Sequence, residues 1–225
     1  MFVTKAERRP ALTIKPPQRN GLEECILDGA DRLLAQRGYG EITMDDLAAA
    51  AGVSKSTIYQ RFQSKENVVL AHIDRIVERV EERLEQIANG GATPANKIKQ
   101  MVVARVMIRF HAVQHYTQSL AELLREIRPG LLARRERYFQ REAQIFARVI
   151  LQGERAGVFR KGAPERTARA LIAATNSLLP FSLTTREIGM PRTTEEAAIT
   201  IADLVLYGLM RPEKAGCNAE PPTRW

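Results

Sequence analysis

The 225-residue sequence predicts an all-α protein of about nine helices, on three observations. Apolar residues recur at three- and four-residue steps along most of the chain, the period of one helix face. Ser, Thr or Pro stands where these stripes begin, and Gly or Pro where they end, as helix starts and stops require. No segment alternates apolar and polar residues over a strand's length, and no repeat period is present.

Residues 1–19 hold Pro10, Pro16 and Pro17 among cationic residues, a disordered basic arm in composition. Two readings stand for it: a tail without a role, or an arm that follows phosphates or enters a minor groove. The first helix covers 21–37 on the stripe Leu22, Cys25, Ile26, Ala30, Leu33 and Leu34, and Gly38 stops it. Thr43 caps a second helix, with Asp46 three residues on as in a capping box. Leu47, Ala48 and Ala51 are its buried side. Ser54 caps a third helix running to about Phe62. Ser64 caps a fourth that reaches about Ala88 on Val68, Val69, Ile73, Ile76, Val77, Val80, Leu84 and Ile87.

A fifth helix is expected over about 94–114 and a sixth over about 117–127. Pro129 opens a seventh that reaches Ala156, where Gly157 ends it. Pro164 sits in the first turn of an eighth, where a missing N–H costs little. That helix carries the apolar run Ala170 to Ala174 and then Leu178, Leu179, Phe181 and Leu183. Gly189 and Pro191 break the chain, and Thr194 caps a ninth helix whose apolar residues extend to Met210. Residues 213–225 form a tail. The expected organisation is arm 1–19, a first domain 20–70, a connecting part of the fourth helix 71–88, a larger helical bundle 89–212, and the tail.

Composition narrows the function classes. No apolar run approaches the roughly 18 residues that span a bilayer, and the first twenty residues lack the pattern of a secretory signal. Cys25 and Cys217 make neither a disulfide framework nor a zinc motif, so a reducing cytoplasm is the expected location, with no membrane partner. The net charge of +8 invites a nucleic-acid reading, but its distribution weakens that argument. Residues 20–70 carry five basic and eight acidic groups, whereas the arm is +4 and residues 91–225 are +9. Local placement of a few cations has to carry any DNA-binding case.

Residues 43–66, TMDDLAAAAGVSKSTIYQRFQSKE, supply that placement. A helix-turn-helix crosses two helices over a turn of a few residues. The crossing needs a small side chain, Ala48. The turn needs a residue that tolerates positive φ, Gly52. The second helix needs an inner apolar anchor, Ile58, with Val53 covering the turn. Outward there remain Lys55, Ser56, Thr57, Tyr59, Gln60 and Arg61, with Ser54 at the helix start. Ser, Thr and Gln bond to base edges, Arg forks onto guanine, and Lys neutralises phosphate. Thr43 and Lys65 lie near helix N-termini, where free N–H groups favour phosphate oxygens. The expected division is phosphate clamping by Thr43, Tyr59 and Lys65, and groove contacts from Lys55, Ser56, Thr57, Gln60 and Arg61.

On these residues, residues 21–88 resemble the DNA-binding domain of the TetR (tetracycline repressor) family of bacterial transcription regulators. The matching text is Gly38-Tyr39, Thr43-Met44 and AAAAGVSKSTIYQRFQSKE. Tyr59, Arg61, Phe62, Lys65 and Glu66 fit the family's closing pattern. Gln60 departs from the Tyr or Arg often found there, which bears on sequence preference. The resemblance covers about a third of the chain and implies an N-terminal three-helix DNA-binding domain followed by a ligand-receiving, dimerising domain over 89–212.

In that second domain the last two predicted helices are apolar around too much of their circumference for lone surface helices. Burial in a partner gives a homodimer with an intersubunit bundle around Leu171, Ala174, Leu178, Leu204, Leu206 and Met210; burial within one chain is the alternative. Met107, Phe110, His111, Tyr116, Phe139, Phe146 and Ile150 are candidates to line an effector cavity, or plain core. His111 and His115 at i, i+4 lack a third ligand at a motif spacing, so no metal and no cofactor is expected. The arginines Arg125, Arg128, Arg134, Arg135, Arg137, Arg141 and Arg148 read as a solvated cationic face, or as attraction for an anionic effector.

Three histidines, no telling Cys-His spacing, no G-x-S-x-G and no phosphate loop argue against an enzyme. The expected function is a transcriptional regulator: a repressor released from a palindromic double-stranded DNA operator by a small-molecule effector. The alternative is an activator or general DNA-binding protein without an effector.

Overall fold

The computed structural model describes residues 21–116 and 120–210. The predicted arm 1–19, the tail 213–225 and Cys217 lie outside the described residues. The α-helices are α1 (Gly21–Arg37), α2 (Met44–Ala51), α3 (Lys55–Arg61), α4 (Lys65–Asn89), α5 (Pro94–Val113), α6 (Leu120–Arg155), α7 (Pro164–Ala174), α8 (Thr185–Ile188) and α9 (Pro191–Leu209). Two 3-10 turns, Asn176–Leu178 and Pro180–Ser182, lie between α7 and α8. Among the described residues no strand forms, only an isolated bridge between Phe159 and Met210.

Two hydrophobic cores result. One gathers Ile26, Leu34, Leu47, Ile58 and Val69 from α1 to α4. The other gathers Val80, Leu84, Val102, Phe110, Phe146, Leu171 and Ala198 from α4 to α9. The first core does not close on its own helices. Tyr116, Leu120, Leu123, Ile127 and Ile188 pack into it from the later part of the chain. Both α4 and α6 therefore serve both cores and tie them together.

The all-α prediction and the elements up to residue 89 match the structure, and three later expectations change. The helices predicted over 117–127 and from Pro129 are one helix, α6, with Pro129 inside it. An internal proline costs a helix about 3 kcal/mol, but Leu123 and Ile127 before it and Tyr138 and Phe146 after it are all buried, so continuity serves two cores. Gly130 adds a steric reason: a Cβ there would collide with Leu70, so α6 crosses α4 at close range. The helix predicted from Pro164 ends at Ala174 rather than carrying Leu178 to Leu183. Finally, Pro191 starts α9 instead of breaking the chain, and Thr194 lies one turn inside.

The predicted cationic face on α6 is largely zipped to α4. Asp74 pairs with Arg134 at 3.4 Å and Arg137 at 3.2 Å, Glu81 with Arg141 at 3.5 Å, and Glu85 with Arg148 at 2.5 Å.

Candidate nucleic-acid interface

The local chemistry of α2 and α3 builds the helix pair. Thr43 is extended at φ −110°, and its Oγ accepts from the Asp46 N–H at 3.1 Å while its own N–H donates to Asp46 Oδ2 at 2.9 Å. This is a complete capping box. Arg37 holds the second carboxylate oxygen of Asp46 at 3.1 Å. The hydrogen bonds from Thr43, with help from Arg37, keep the Asp46 carboxyl below its ordinary range. Gly52 ends α2 at φ 67°, a left-handed conformation that a β-carbon penalises. The Val53 N–H then reaches the Ala48 carbonyl at 2.9 Å, tightening the turn. Ser54 caps α3 by accepting from the Thr57 N–H at 3.1 Å.

Ala48 and Ile58 are buried between the helices. That burial turns the opposite face of α3 outward: Lys55, Ser56, Tyr59, Gln60 and Arg61 are exposed and Thr57 is half-buried. Thr43 and Ser54 are exposed at the ends of the same surface. Tyr59, 45% exposed, puts its ring and hydroxyl on this face beside Lys55, Ser56, Gln60 and Arg61.

Two of the expected DNA contacts, Lys55 toward the groove and Lys65 toward phosphate, carry internal partners. Lys55 Nζ donates to Asp45 at 2.9 Å, a bond that raises the lysine's pKa. Half-buried Lys65 donates to the Tyr39 carbonyl at 2.8 Å. Sequence reasoning missed Arg32 and Arg37, which brace α2 from α1; Arg32 donates to the Ala50 carbonyl at 3.0 Å. Their signal was two cations five residues apart near the end of α1, too common to single out.

The candidate effector residues do not surround one cavity. Met107, Phe110, Phe146 and Ile150 are close-packed in the second core. Tyr116 belongs to the first core, bonded to Asp31 and His72. His111 is exposed beside Gln114, and His115 pairs with Asp31. Phe139 lines a cleft between α6 and α7. Among the described residues no group of three or more His, Cys, Asp or Glu side chains is arranged to hold a metal ion, and no helix is long and apolar enough to cross a membrane.

The predicted dimer residues divide likewise. Leu171 and Leu206 are buried within the chain's own second core, so they are corrected to internal packing. Leu178 is half-buried. Ala174, Leu204 and Met210 reach the surface, and Tyr207, unassigned from the sequence, is 87% exposed beside Leu204 at 69%.

Comparison with known proteins places the reading head. The family described as bacterial regulatory proteins, tetR family, matches residues 26–72. The HTH-type transcriptional regulator EthR of Mycobacterium tuberculosis is 40% identical over 76 residues, 34% of this chain and 35% of that protein. The match therefore spans about a third of the length of that relative. Among solved structures, a transcriptional regulator from Cytophaga hutchinsonii superposes with a TM-score of 0.69 at 20% identity, over 85% of this chain and 100% of that one. SmeT in its triclosan complex does so with a TM-score of 0.60 at 18% identity, over 91% and 100%. At these identities the structures attest the fold, including the second core that the sequence match does not reach.

Proposed function

Because the chain belongs, through residues 26–72, to the tetR family of bacterial regulatory proteins, we propose that it is a DNA-binding transcriptional regulator, a homodimeric repressor released from a palindromic operator by a small-molecule effector. The observation that carries the reading is the outward face of α3, with Lys55, Ser56, Tyr59, Gln60 and Arg61 exposed over an anchored Ile58. One helix of 25 residues, α4, runs from that face into the second core. Residues 20–70 read DNA, 71–88 connect, and 89–212 receive the effector and dimerise.

A dimer supplies the two reading heads that two half-sites about one helical turn apart, or a multiple, require. The exposed Leu204, Tyr207 and Met210 are apolar surface that a second copy would cover. An effector that prefers one spacing of the heads then shifts a two-state dimer, to the extent of its differential affinity. The protein acts in the cytoplasm, where its DNA is.

The decisive experiment is selection of bound duplexes from a random pool, repeated with Tyr59→Ala. The wild type is expected to enrich a palindrome and the variant to lose it. Enrichment of no sequence by the wild type, or of the same sequence by both proteins, overturns the assignment. Occupancy unmoved by any effector points instead to the regulator without a ligand.

A further inference from the structure

The second core holds charge where an apolar interior is expected. Arg105 and Glu142 are fully buried, and Arg109 nearly so. Arg105 Nε donates to Glu142 Oε2 at 2.6 Å, and Arg109 donates to the other carboxylate oxygen. The trio thus has two cations for one anion. Its other acceptors are neutral: Arg105 Nη1 donates to Thr175 Oγ at 2.7 Å and Nη2 to Asn176 Oδ1 at 2.8 Å. Glu81 adds a second carboxylate near Arg109 and Glu142, but the Nη1 and Nη2 end of the Arg105 fork meets neutral acceptors alone, and a buried charge gains most from a charged partner.

The side from which such a partner can arrive is open. Asn176 also lines a cleft of about 290 Å³ between α6 and α7, with Phe139, Ile172 and Ala173 as apolar wall and Glu136, Gln140 and Arg169 as the rest of its polar lining. The Arg105 guanidinium lies 5.4 Å from the Phe139 ring centroid. The Asn176 amide and the Phe139 ring thus lie both against the arginine fork and along the cleft. Burial and the neighbouring Arg109 cation lower the Arg105 pKa to about 10, against the pull of Glu142.

We propose that this cleft is the effector site and that it takes a small monocarboxylate with an apolar body. The carboxylate accepts from Arg105 Nη2 in place of the Asn176 amide oxygen, and the body lies against Phe139, Ile172 and Ala173. A charge-assisted bond replaces a neutral one, which is the stronger kind. Displacing Asn176 also releases the 3-10 turn that follows α7, which packs against α9, the helix bearing Leu204 and Tyr207. The inference rests on the effector reading above and gives that effector a chemical class.

Calorimetric titration of the full-length protein with phenylacetate and octanoate, each against its neutral amide, tests it. The acids are expected to bind at least about tenfold more tightly than the amides, the factor one charge-assisted hydrogen bond supplies. Asn176→Asp, which places a carboxylate on Arg105 in advance, should abolish that preference without lowering the Tm. Arg169→Gln, at a lining position with no part in the buried trio, should weaken binding of the acids and leave the amides unchanged.

Equal affinity for acids and amides overturns the proposal, as does an Asn176→Asp protein that binds the acids like the wild type. A protein that selects its DNA yet shows no acid preference refutes the cleft and leaves the regulator standing. One that prefers acids, loses the preference in Asn176→Asp and selects no DNA supports the cleft and refutes the regulator.

Discussion

Lys65 Nζ donates to the carbonyl oxygen of Tyr39 at 2.8 Å and lies 4.2 Å from the centroid of the same residue's ring. The first turn of α4 is thereby fastened to the link between α1 and α2, and Lys65 has a structural task whatever it does with phosphate. Lys65→Met removes the charged donor and the ring contact. A loss of about 1–2 kcal/mol is expected, which for a chain of this length lowers the Tm by roughly 2–6 °C. Thermal unfolding without DNA measures it; an unchanged Tm would mean that the contact contributes nothing.

Asp45 restrains the reading face in a different way. Its carboxylate holds Lys55 at 2.9 Å with both side chains more than half exposed, so solvent screens the pair and it contributes little to stability. A phosphate has to compete with it for the lysine. Asp45→Asn is expected to strengthen DNA binding and to steepen its dependence on log salt by about one phosphate's worth, with no change in Tm. A salt slope equal to that of the wild type would show that Lys55 does not meet phosphate.

His72 makes stability fall in acid. Its Nδ1 faces Arg75 Nη2 at 3.1 Å and its Nε2 faces the Tyr116 hydroxyl at 3.0 Å. The arginine can only donate, so Nδ1 accepts and the ring is neutral. Burial, reinforced by Arg75 and Arg79 against the pull of Asp31, lowers its pKa from 6.5 to about 4. The unfolded chain takes up the proton first as pH drops. Stability is therefore complete above pH 6.5 and is lost between there and pH 4, on the order of 2–3 kcal/mol. In His72→Gln, denaturant midpoints taken at successive pH values should instead rise as pH falls from 6.5 to 4.5, because the opposing titration of Glu81 then stands alone.

Glu81 acts in the opposite sense. One of its oxygens is buried without a hydrogen-bond partner. Burial, helped by Glu142 and Glu78 and opposed by Arg141, raises its pKa from 4.5 to about 7. The folded state holds the proton more tightly, so its stabilising share is complete below pH 4.5 and is lost as pH rises through 7. Over pH 4.5–6.5 the two residues offset each other and the wild type should be nearly flat. Glu81→Gln removes its part, on the order of 2 kcal/mol, leaving the His72 slope exposed. A Glu81→Gln profile that tracks the wild type from pH 4.5 to 8 would count against this.

Leu204 and Tyr207 bear on assembly. Both stand on α9 with most of their surface in water. If two copies meet there, Leu204→Glu buries a charge at the seam and should weaken the dimer by about 30-fold or more. Sedimentation at micromolar protein would show monomers of undiminished Tm. A variant that remains as dimeric as the wild type moves the interface elsewhere.

The reading head was legible in the sequence because its causes are local. Thr43 and Asp46, Ala48 and Gly52, and Ser54 and Thr57 act across three or four residues, and each residue type has few other reasons to stand at that spacing. The dihedral of Gly52 and both caps follow from side chains the sequence displays in one glance. The second core obeys partners far away in the chain. Arg105 meets Glu142 across 37 positions and Thr175 across 70, and the only hint in the sequence was a cation set between Val102 and Val106. Pro129 and Gly130 look like a helix break until α4 lies against them. Packing on both sides then outweighs a proline's local cost, and the glycine leaves the room that the Leu70 side chain fills. Tyr116 was a cavity candidate by its helix. The tertiary structure instead placed it in the core of the reading head, where Asp31 and His72 could satisfy its hydroxyl. Local hydrogen bonding determined the reading helices from sequence alone, while burial and charge pairing between distant segments were decided only when the helices met.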